Sequence, residues 1–167
     1  MVIAVGLQQS LVWDKYVNAV LYFTRYCNNQ YLGATKLNKL LYYLDFISYR
    51  DRTRSVTNDT YVSKQYGPVP RCIDDVLTTL AQEGKVSIEI QPFKDGETVK
   101  YTPKTDSEVS IFDDYERTLL KEICNEFLLW PTEKIVNQTH LEAPWFYSKP
   151  YTIVDYHYAS DIEFFRR

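Results

Sequence analysis

The stretch that decides the fold runs from residue 36 to residue 49 and reads Lys-Leu-Asn-Lys-Leu-Leu-Tyr-Tyr-Leu-Asp-Phe-Ile-Ser-Tyr. Four leucines recur in it at the spacing of one helix face: Leu37, Leu40, Leu41 and Leu44. Aromatic side chains occupy much of the remaining surface, so this helix is apolar almost all round. Such a helix is typical of a central position with other elements packed on several sides. The sequence therefore predicts a core helix over residues 36–49 that has no chemistry of its own.

The segment before this helix predicts an antiparallel partner. Apolar residues follow a helical period from Asp14 to Tyr26, and only a short connector, residues 30–35, separates the two helices. So short a link favours antiparallel neighbours. Thr35 stands where a side-chain oxygen could accept from the free amides of the first turn, so we expect it to cap the central helix.

After the core helix the pattern changes to short strands and shorter helices. An exposed loop is predicted over 50–59, followed by a strand over 60–66 and a stiff turn at Gly67-Pro68-Val69-Pro70. Next come a helix that ends before Gly84 and a β-hairpin over 86–102 with a turn at Asp95-Gly96.

Helical patterns return over 113–130 and 132–140, with Thr132 as the expected cap of the second helix, and an aromatic tail follows. The fold class that emerges is α+β and mainly α. It is a single domain of about five to six helices around the central helix 36–49, with a small β-hairpin over 86–102.

Composition points to an intracellular protein that associates with other proteins. The three cysteines, Cys27, Cys72 and Cys124, are widely spaced and lie in apolar or helical stretches, as expected for buried thiols in a reducing compartment. The apolar start, residues 1–7, lacks a basic segment before it, so no signal peptide or membrane span is expected. We predict a cytoplasmic location and no membrane contact.

Charge and tyrosine content favour protein partners. The chain has a net charge of −3 and fifteen tyrosines, and its acidic residues concentrate after residue 105. Tyrosine combines a large contact area with a polar tip and is enriched at protein interfaces. An acidic C-terminal half argues against a protein that wraps duplex DNA.

No arrangement in the sequence predicts catalysis or a metal site. His140-Leu141-Glu142 has the His-x-Glu spacing of zinc deaminases, but no cysteine follows Cys124 to complete that site. The adjacent pairs Asp74-Asp75 and Asp113-Asp114 are explained by solvated first turns of helices. A Cys–His nucleophile stays open as an alternative, because such partners can be distant in sequence. We expect no catalytic residue, no metal ligand and no cofactor.

A winged-helix-like regulator that binds nucleic acid is the alternative function. The order helix then hairpin over 70–102 fits that architecture. However, residues 70–83 carry one arginine against three acidic residues, a poor composition for a helix that must approach phosphates. Nucleic acid is therefore the less favoured partner.

Three motifs in a fixed order resemble the Panacea domain of SocA-like antitoxins from bacteria and their phages. The motif residues are Lys36, Leu37, Lys39, Leu40, Leu41, Tyr42 and Tyr43; Tyr66, Gly67, Pro68 and Val69; and Thr139, His140, Glu142, Pro144 and Trp145. The resemblance spans about Asp14 to Trp145. The motif residues have the character of positions that specify the fold, and they do not identify a surface for a partner.

The resemblance implies a function and a partner. Members of this family are non-enzymatic antitoxins that neutralise a toxin protein by direct binding, and a founding member is described as an adaptor that delivers its toxin to a protease. A cognate toxin, and a protease in the adaptor case, are the partners implied here. We expect an antitoxin domain over 1–145 and an aromatic-rich extension over 146–167 packed on or near it. Candidate partner-binding residues are Phe146, Tyr147, Tyr151, Tyr156, Tyr158, Phe164 and Phe165.

Overall fold

The computed structural model describes residues 11–94 and 96–167, and it is organised around one long helix, α2 (Ala34–Arg52). Twelve of the 19 residues of α2 are buried, including an unbroken run from Lys39 to Ser48 and the leucines and tyrosines of the first motif. The predicted helix over 36–49 is thus confirmed and extends further at both ends. The predicted cap at Thr35 is wrong. The chain enters the helix in an extended conformation at Gly33, which takes the N-cap position and places Thr35 inside the first turn.

Helices cover α2 on several sides, and the predicted mainly helical α+β fold is confirmed. Helix α1 (Trp13–Tyr26), α4 (Asp114–Phe127) and α5 (Thr132–His140) all pack against α2. Asp113 forms a capping box with Glu116 that satisfies free amides at the start of α4. Pro131, and not the predicted Thr132, takes the N-cap position of α5. Thr132 is the first residue of the helix, and its hydroxyl donates to the carbonyl of Tyr31.

The remaining helices are short. Helix α3 (Ile73–Gln82) ends before Gly84, as the sequence predicts, and Gly84 adopts a φ of 70°. Helix α6 (Ala143–Phe146) starts with Pro144 in its first turn. Two 3-10 segments, Val109–Ile111 and Tyr156–Asp161, lie before α4 and in the C-terminal tail. In the part of the chain that the structure describes, no helix has the length and apolar character needed to cross a bilayer.

Strand β1 (Tyr61–Lys64) pairs with β2 (Gly67–Pro70) in an antiparallel hairpin. The prediction of a turn at 67–70 is therefore wrong, and the chain reverses at residues 65–66 instead. The backbone bond from Arg71 to Thr60 sets the alternation of bonded pairs, so Pro68 and Pro70 fall at non-bonded positions. A strand tolerates proline at these positions because no ladder amide is needed there.

The second sheet is the predicted hairpin over 86–102, formed by β3 (Val86–Phe93) and β4 (Gly96–Pro103). Only its base is buried, through Val86 and Tyr101, and it packs on α1 and α3. Its outer part exposes three large apolar side chains, those of Ile88, Ile90 and Phe93.

The C-terminal tail is built into the fold. Residues 151–154 run along the free edge of β1 and exchange three backbone hydrogen bonds with Tyr61 and Ser63. Tyr156 stacks on Phe46 of α2 with ring centroids 4.3 Å apart. The buried guanidinium of Arg50 then donates to the carbonyls of three tail residues, Ile162, Phe164 and Phe165. Residues 151–165 are therefore held against β1 and the core helix.

Candidate functional site

Lys36, at the start of the first motif, is fully buried and joins α2 to the end of α4. Its ammonium group donates to three carbonyl oxygens, those of Phe127 (2.6 Å), Leu128 (3.2 Å) and Trp130 (2.8 Å). A cation at a helix C-terminus interacts favourably with the helix dipole and satisfies free carbonyls. Burial lowers the pKa of Lys36. Lys36 therefore holds two helices together.

Lys39, one turn later, joins the first motif to the second. Its ammonium group is buried and donates to the carbonyl of Pro68 at 2.7 Å. Desolvation lowers its pKa to about 7. Gly67 packs directly on the Lys39 stem with a φ of 109°, and a Cβ built on Gly67 would lie 2.7 Å from Lys39 Cε and 2.7 Å from Thr139 Oγ1. Glycine is needed here because only it combines that dihedral with so close an approach.

Glu142 joins the third motif to the first. Its carboxylate accepts from the hydroxyls of Tyr42 (2.9 Å) and Tyr43 (3.0 Å) and from the amide of Gln138 (3.1 Å). All but about 5% of Glu142 is buried, and desolvation raises its pKa to about 7 despite the three hydrogen bonds. The His-x-Glu motif thus points its carboxylate into the core.

The raised pKa of Glu142 predicts an unusual pH dependence of stability. Between its ordinary pKa of 4.5 and about 7, the folded state keeps a proton that the unfolded state has lost, so the free energy of unfolding falls as pH rises through this window. Glutamine is neutral at every pH in this window, so the stability of Glu142→Gln does not depend on protonation at this position. We expect the stability of the variant relative to wild type to increase by about 2 kcal/mol from pH 4.5 to pH 7.5.

Urea denaturation at several pH values measures this difference. Glu126→Gln, which neutralises an exposed carboxylate on α4, is the matched control and should leave the pH dependence as in wild type. Parallel stability curves for wild type and Glu142→Gln would contradict the assigned environment of Glu142.

His140 and Trp145 cover the β1–β2 hairpin from outside. Their rings stack with centroids 3.9 Å apart. The indole of Trp145 donates to the carbonyl of Lys64 at 2.8 Å, and Nε2 of His140 lies 3.1 Å from the carbonyl of Gln65. Burial lowers the pKa of His140. The pair therefore fixes the hairpin turn, at which Tyr66 is exposed.

The motif residues meet in one layer between α2, β2, α5 and α6. Leu37, Leu40 and Leu41 lie in the core, Thr139 and Pro144 are buried, and Val69 is half-buried. Within residues 11–94 and 96–167, no group of three or more His, Cys, Asp or Glu side chains is arranged to hold a metal ion. The chemistry of this layer is internal hydrogen bonding that joins segments distant in the sequence.

A second buried network, which was not predicted from the sequence, is centred on Asp45. Its carboxylate accepts from the amides of Val56 and Thr57, from the Thr57 hydroxyl and from the hydroxyl of Tyr61 at 2.6 Å. Desolvation raises its pKa to about 6. Asp59 nearby accepts from the Tyr16 hydroxyl and the Cys72 amide. A carboxylate in a helix that is apolar on all faces was the clue in the sequence.

The candidate partner-binding residues divide into two groups. Tyr156, Phe164 and Phe165 are half-buried and pack on the core. The other four candidates, Phe146, Tyr147, Tyr151 and Tyr158, are exposed. Together with the exposed Ile153, which was not among the predicted residues, we call them the aromatic surface. Tyr147 contacts both Phe146 and Tyr158, with ring centroids 5.2 and 5.7 Å apart. The aromatic surface thus joins α6 to the tail.

The helix and hairpin that could resemble a winged helix do come together, since α3 packs on β3. The exposed side of α3 carries Asp74 and Asp75 in its first turn. Carboxylates there repel phosphates, so the charge of α3 opposes its use as a recognition helix.

A comparison with known protein families matches the part of the chain that contains the three motifs. Residues 37–146 match the family described as "Antitoxin SocA-like, Panacea domain", and the match includes all three motifs except Lys36. Neither the curated proteins nor the solved structures contain a match to this chain. The family match covers more than half of the chain and confirms the resemblance seen in the motifs. The chain belongs to the SocA-like antitoxin family with a Panacea domain.

Proposed function

We propose that this chain neutralises a cognate toxin protein in the cytoplasm by direct, non-enzymatic binding through the aromatic surface. The observation that carries the proposal is a group of exposed aromatic side chains on a member of an antitoxin family, in which the rings of Phe146, Tyr147 and Tyr158 are in contact. Phe146 is 63% exposed and Tyr151 is 75% exposed. Aromatic side chains held by a rigid body supply large contact areas at low entropic cost, and they dominate binding energies in interfaces.

The environment of the ionisable motif residues supports binding over catalysis. Lys36, Lys39 and Glu142 are buried, and their hydrogen bonds go to backbone carbonyls or to core side chains. Catalytic groups must reach a substrate in a cleft. These three side chains instead hold the body that presents the aromatic surface.

Delivery of the toxin to a protease is a further part of the proposal. An adaptor needs a second surface that stays free when the toxin is bound. The β3–β4 hairpin is a separate element whose Ile88, Ile90 and Phe93 are exposed. If the chain is an adaptor, Ile90→Glu should leave toxin binding intact and should lengthen the toxin's half-life in cells, measured after synthesis is stopped.

Co-expression with the toxic protein encoded beside this chain tests the main proposal. Wild type should restore growth and copurify with the toxin, whereas Phe146→Ala/Tyr147→Ala/Tyr158→Ala should do neither, with at least a hundredfold weaker binding by calorimetry, since hot-spot aromatic residues each contribute about 2 kcal/mol or more. The control variant Leu129→Ala/Leu141→Ala removes exposed apolar side chains outside both proposed surfaces and should neutralise fully. Full rescue by the triple variant would exclude the aromatic surface.

The winged-helix alternative makes an opposite prediction. A gel-shift assay with duplex DNA at modest salt should show no salt-sensitive binding if the chain acts on a protein. Binding that weakens steeply between 50 and 200 mM salt, about a thousandfold or more for six to ten phosphate contacts, would favour the alternative.

A further inference from the structure

A cleft of about 510 Å³ opens beside the β1–β2 hairpin. It borders the aromatic surface, with which it shares Tyr151, but the proposed toxin binding does not use its floor. It lies between the start of α2, the hairpin and α3. Apolar side chains line much of it: Val62, Val69, Pro70, Ile73 and Leu77. Three tyrosines, Tyr66, Tyr101 and Tyr151, also line it. The volume is in the range of sites that hold a small ligand or a few residues of a peptide.

Two cations lie at this cleft. Lys64 and Arg71 both line the cleft and are exposed. In the described ranges 11–94 and 96–167, neither side chain forms an ion pair or a hydrogen bond. Among the lining residues that the structure describes, Asp74 is the one carboxylate. Lys39 also lines the cleft but is buried. This local excess of positive charge occurs in a chain whose net charge is −3.

The start of α2 adds to the positive potential. Ala34 and Thr35 line the cleft, and the N-cap residue Gly33 provides no side-chain acceptor for the first amides. The unsatisfied amides and the dipole of a 19-residue helix favour a negative group at this end. The start of α2 and the side chains of Lys64 and Arg71 therefore all favour a negatively charged ligand.

The wall of the cleft is held in place before any ligand binds. The carbonyl of Lys64 accepts from the Trp145 indole, and the amide of Arg71 donates to the carbonyl of Thr60. These bonds fix the backbone at both ends of the hairpin. Lys64 and Arg71 lie four register steps apart along the hairpin, since Arg71 is opposite Thr60, or roughly 13 Å at the rise of a strand. A preformed site loses less conformational entropy on binding.

We propose that this cleft binds an acidic peptide segment of a partner protein. A large apolar side chain of the segment packs on the floor, and its carboxylates pair with Lys64 and Arg71. The two cations favour a ligand with carboxylates, and the apolar floor favours one that also has a large apolar side chain. An acidic peptide meets both conditions, whereas a small inorganic anion meets only the first. The inference concerns the chemistry of the segment and stands whether or not the segment belongs to a toxin.

Fluorescence anisotropy with two labelled peptides tests the proposal. Asp-Glu-Phe-Glu-Asp should bind, and Asn-Gln-Phe-Gln-Asn, equal in size but neutral, should bind at least tenfold more weakly. Lys64→Glu and Arg71→Glu should each weaken binding of the acidic peptide about tenfold, and Arg71→Gln should give a smaller loss. Lys121→Glu makes the same charge change at an exposed position of α4 outside the cleft and should have less than a twofold effect.

Three results would overturn the proposal, provided that thermal melts show every variant folded. One is equal affinity for the two peptides, or no binding of either. Another is acidic-peptide binding that Lys64→Glu and Arg71→Glu leave unchanged. The third is a labelled oligothymidylate that binds this cleft more tightly than the acidic peptide, which would assign it to nucleic acid.

Discussion

Gly67→Ala is expected to lower the free energy of unfolding by about 3 kcal/mol or more, since a backbone conformation unfavourable for alanine and a steric clash act together. The φ of Gly67 is 109°, and the added Cβ would meet Lys39 and Thr139 at 2.7 Å. Both neighbours are fully buried, so neither can swing into solvent. Urea denaturation followed by circular dichroism measures the loss.

Gly84→Ala is the matched control for this prediction. Gly84 also has a positive φ, 70°, but nothing lies within 4 Å of the position of its added Cβ. The variant should lose only the conformational term, about 1 kcal/mol. Equal losses at the two glycines would mean that the close contact between β2 and α2 contributes nothing.

Asp45→Ala should be the second large loss, about 4 kcal/mol. The substitution leaves the amides of Val56 and Thr57 and the hydroxyls of Thr57 and Tyr61 without their acceptor in the core. Unsatisfied buried donors carry the full desolvation penalty, and a small cavity adds to it. The loop after α2 should lose protection from hydrogen exchange first, because Asp45 fixes its backbone.

Two variants check the cause. Asp45→Asn keeps one acceptor oxygen and should lose about half as much as Asp45→Ala. Asp75→Ala removes an exposed carboxylate of α3 and should change stability by less than about 0.5 kcal/mol. A loss below about 1 kcal/mol for Asp45→Ala would show that water replaces the carboxylate and that the network does not hold the loop.

The sequence predicted the core helix because its leucines repeat at helical spacing, a local property. It also predicted the β3–β4 hairpin from alternation and a turn, and the end of α3 from Gly84. Each of these features depends on neighbouring residues. The family could also be recognised from local sequence, because each of its three motifs is a short stretch and the three occur in a fixed order.

The errors arose where distant contacts decide the structure. Gly67–Pro70 reads as a turn by local chemistry, yet it forms a strand because β1 lies beside it and Lys39 satisfies the carbonyl of Pro68. Threonine is a common N-cap residue, but the helix already begins at Ala34, so Gly33 takes the N-cap position and not Thr35. Lys36 and Lys39 interrupt an apolar helix in the sequence, and Glu142 follows the end of a predicted helix. Only the fold reveals that all three are buried and bonded across the core.

In the C-terminal tail, too, contacts between distant residues decide the structure. Its aromatic residues could be listed from the sequence, but their division into core and surface depends on Arg50 and on the free edge of β1. Neither contact has a local pattern in the sequence. The aromatic surface was therefore defined only once the tail had been placed on the fold.

Titration of purified toxin with this chain tests the central claim, neutralisation by binding without chemistry, most directly. Toxin activity should fall linearly and reach zero at a fixed molar ratio, and toxin recovered from the complex by denaturation and refolding should regain its activity and unaltered mass. Inactivation by a small fraction of an equivalent, or a toxin recovered with a changed mass, would contradict the account.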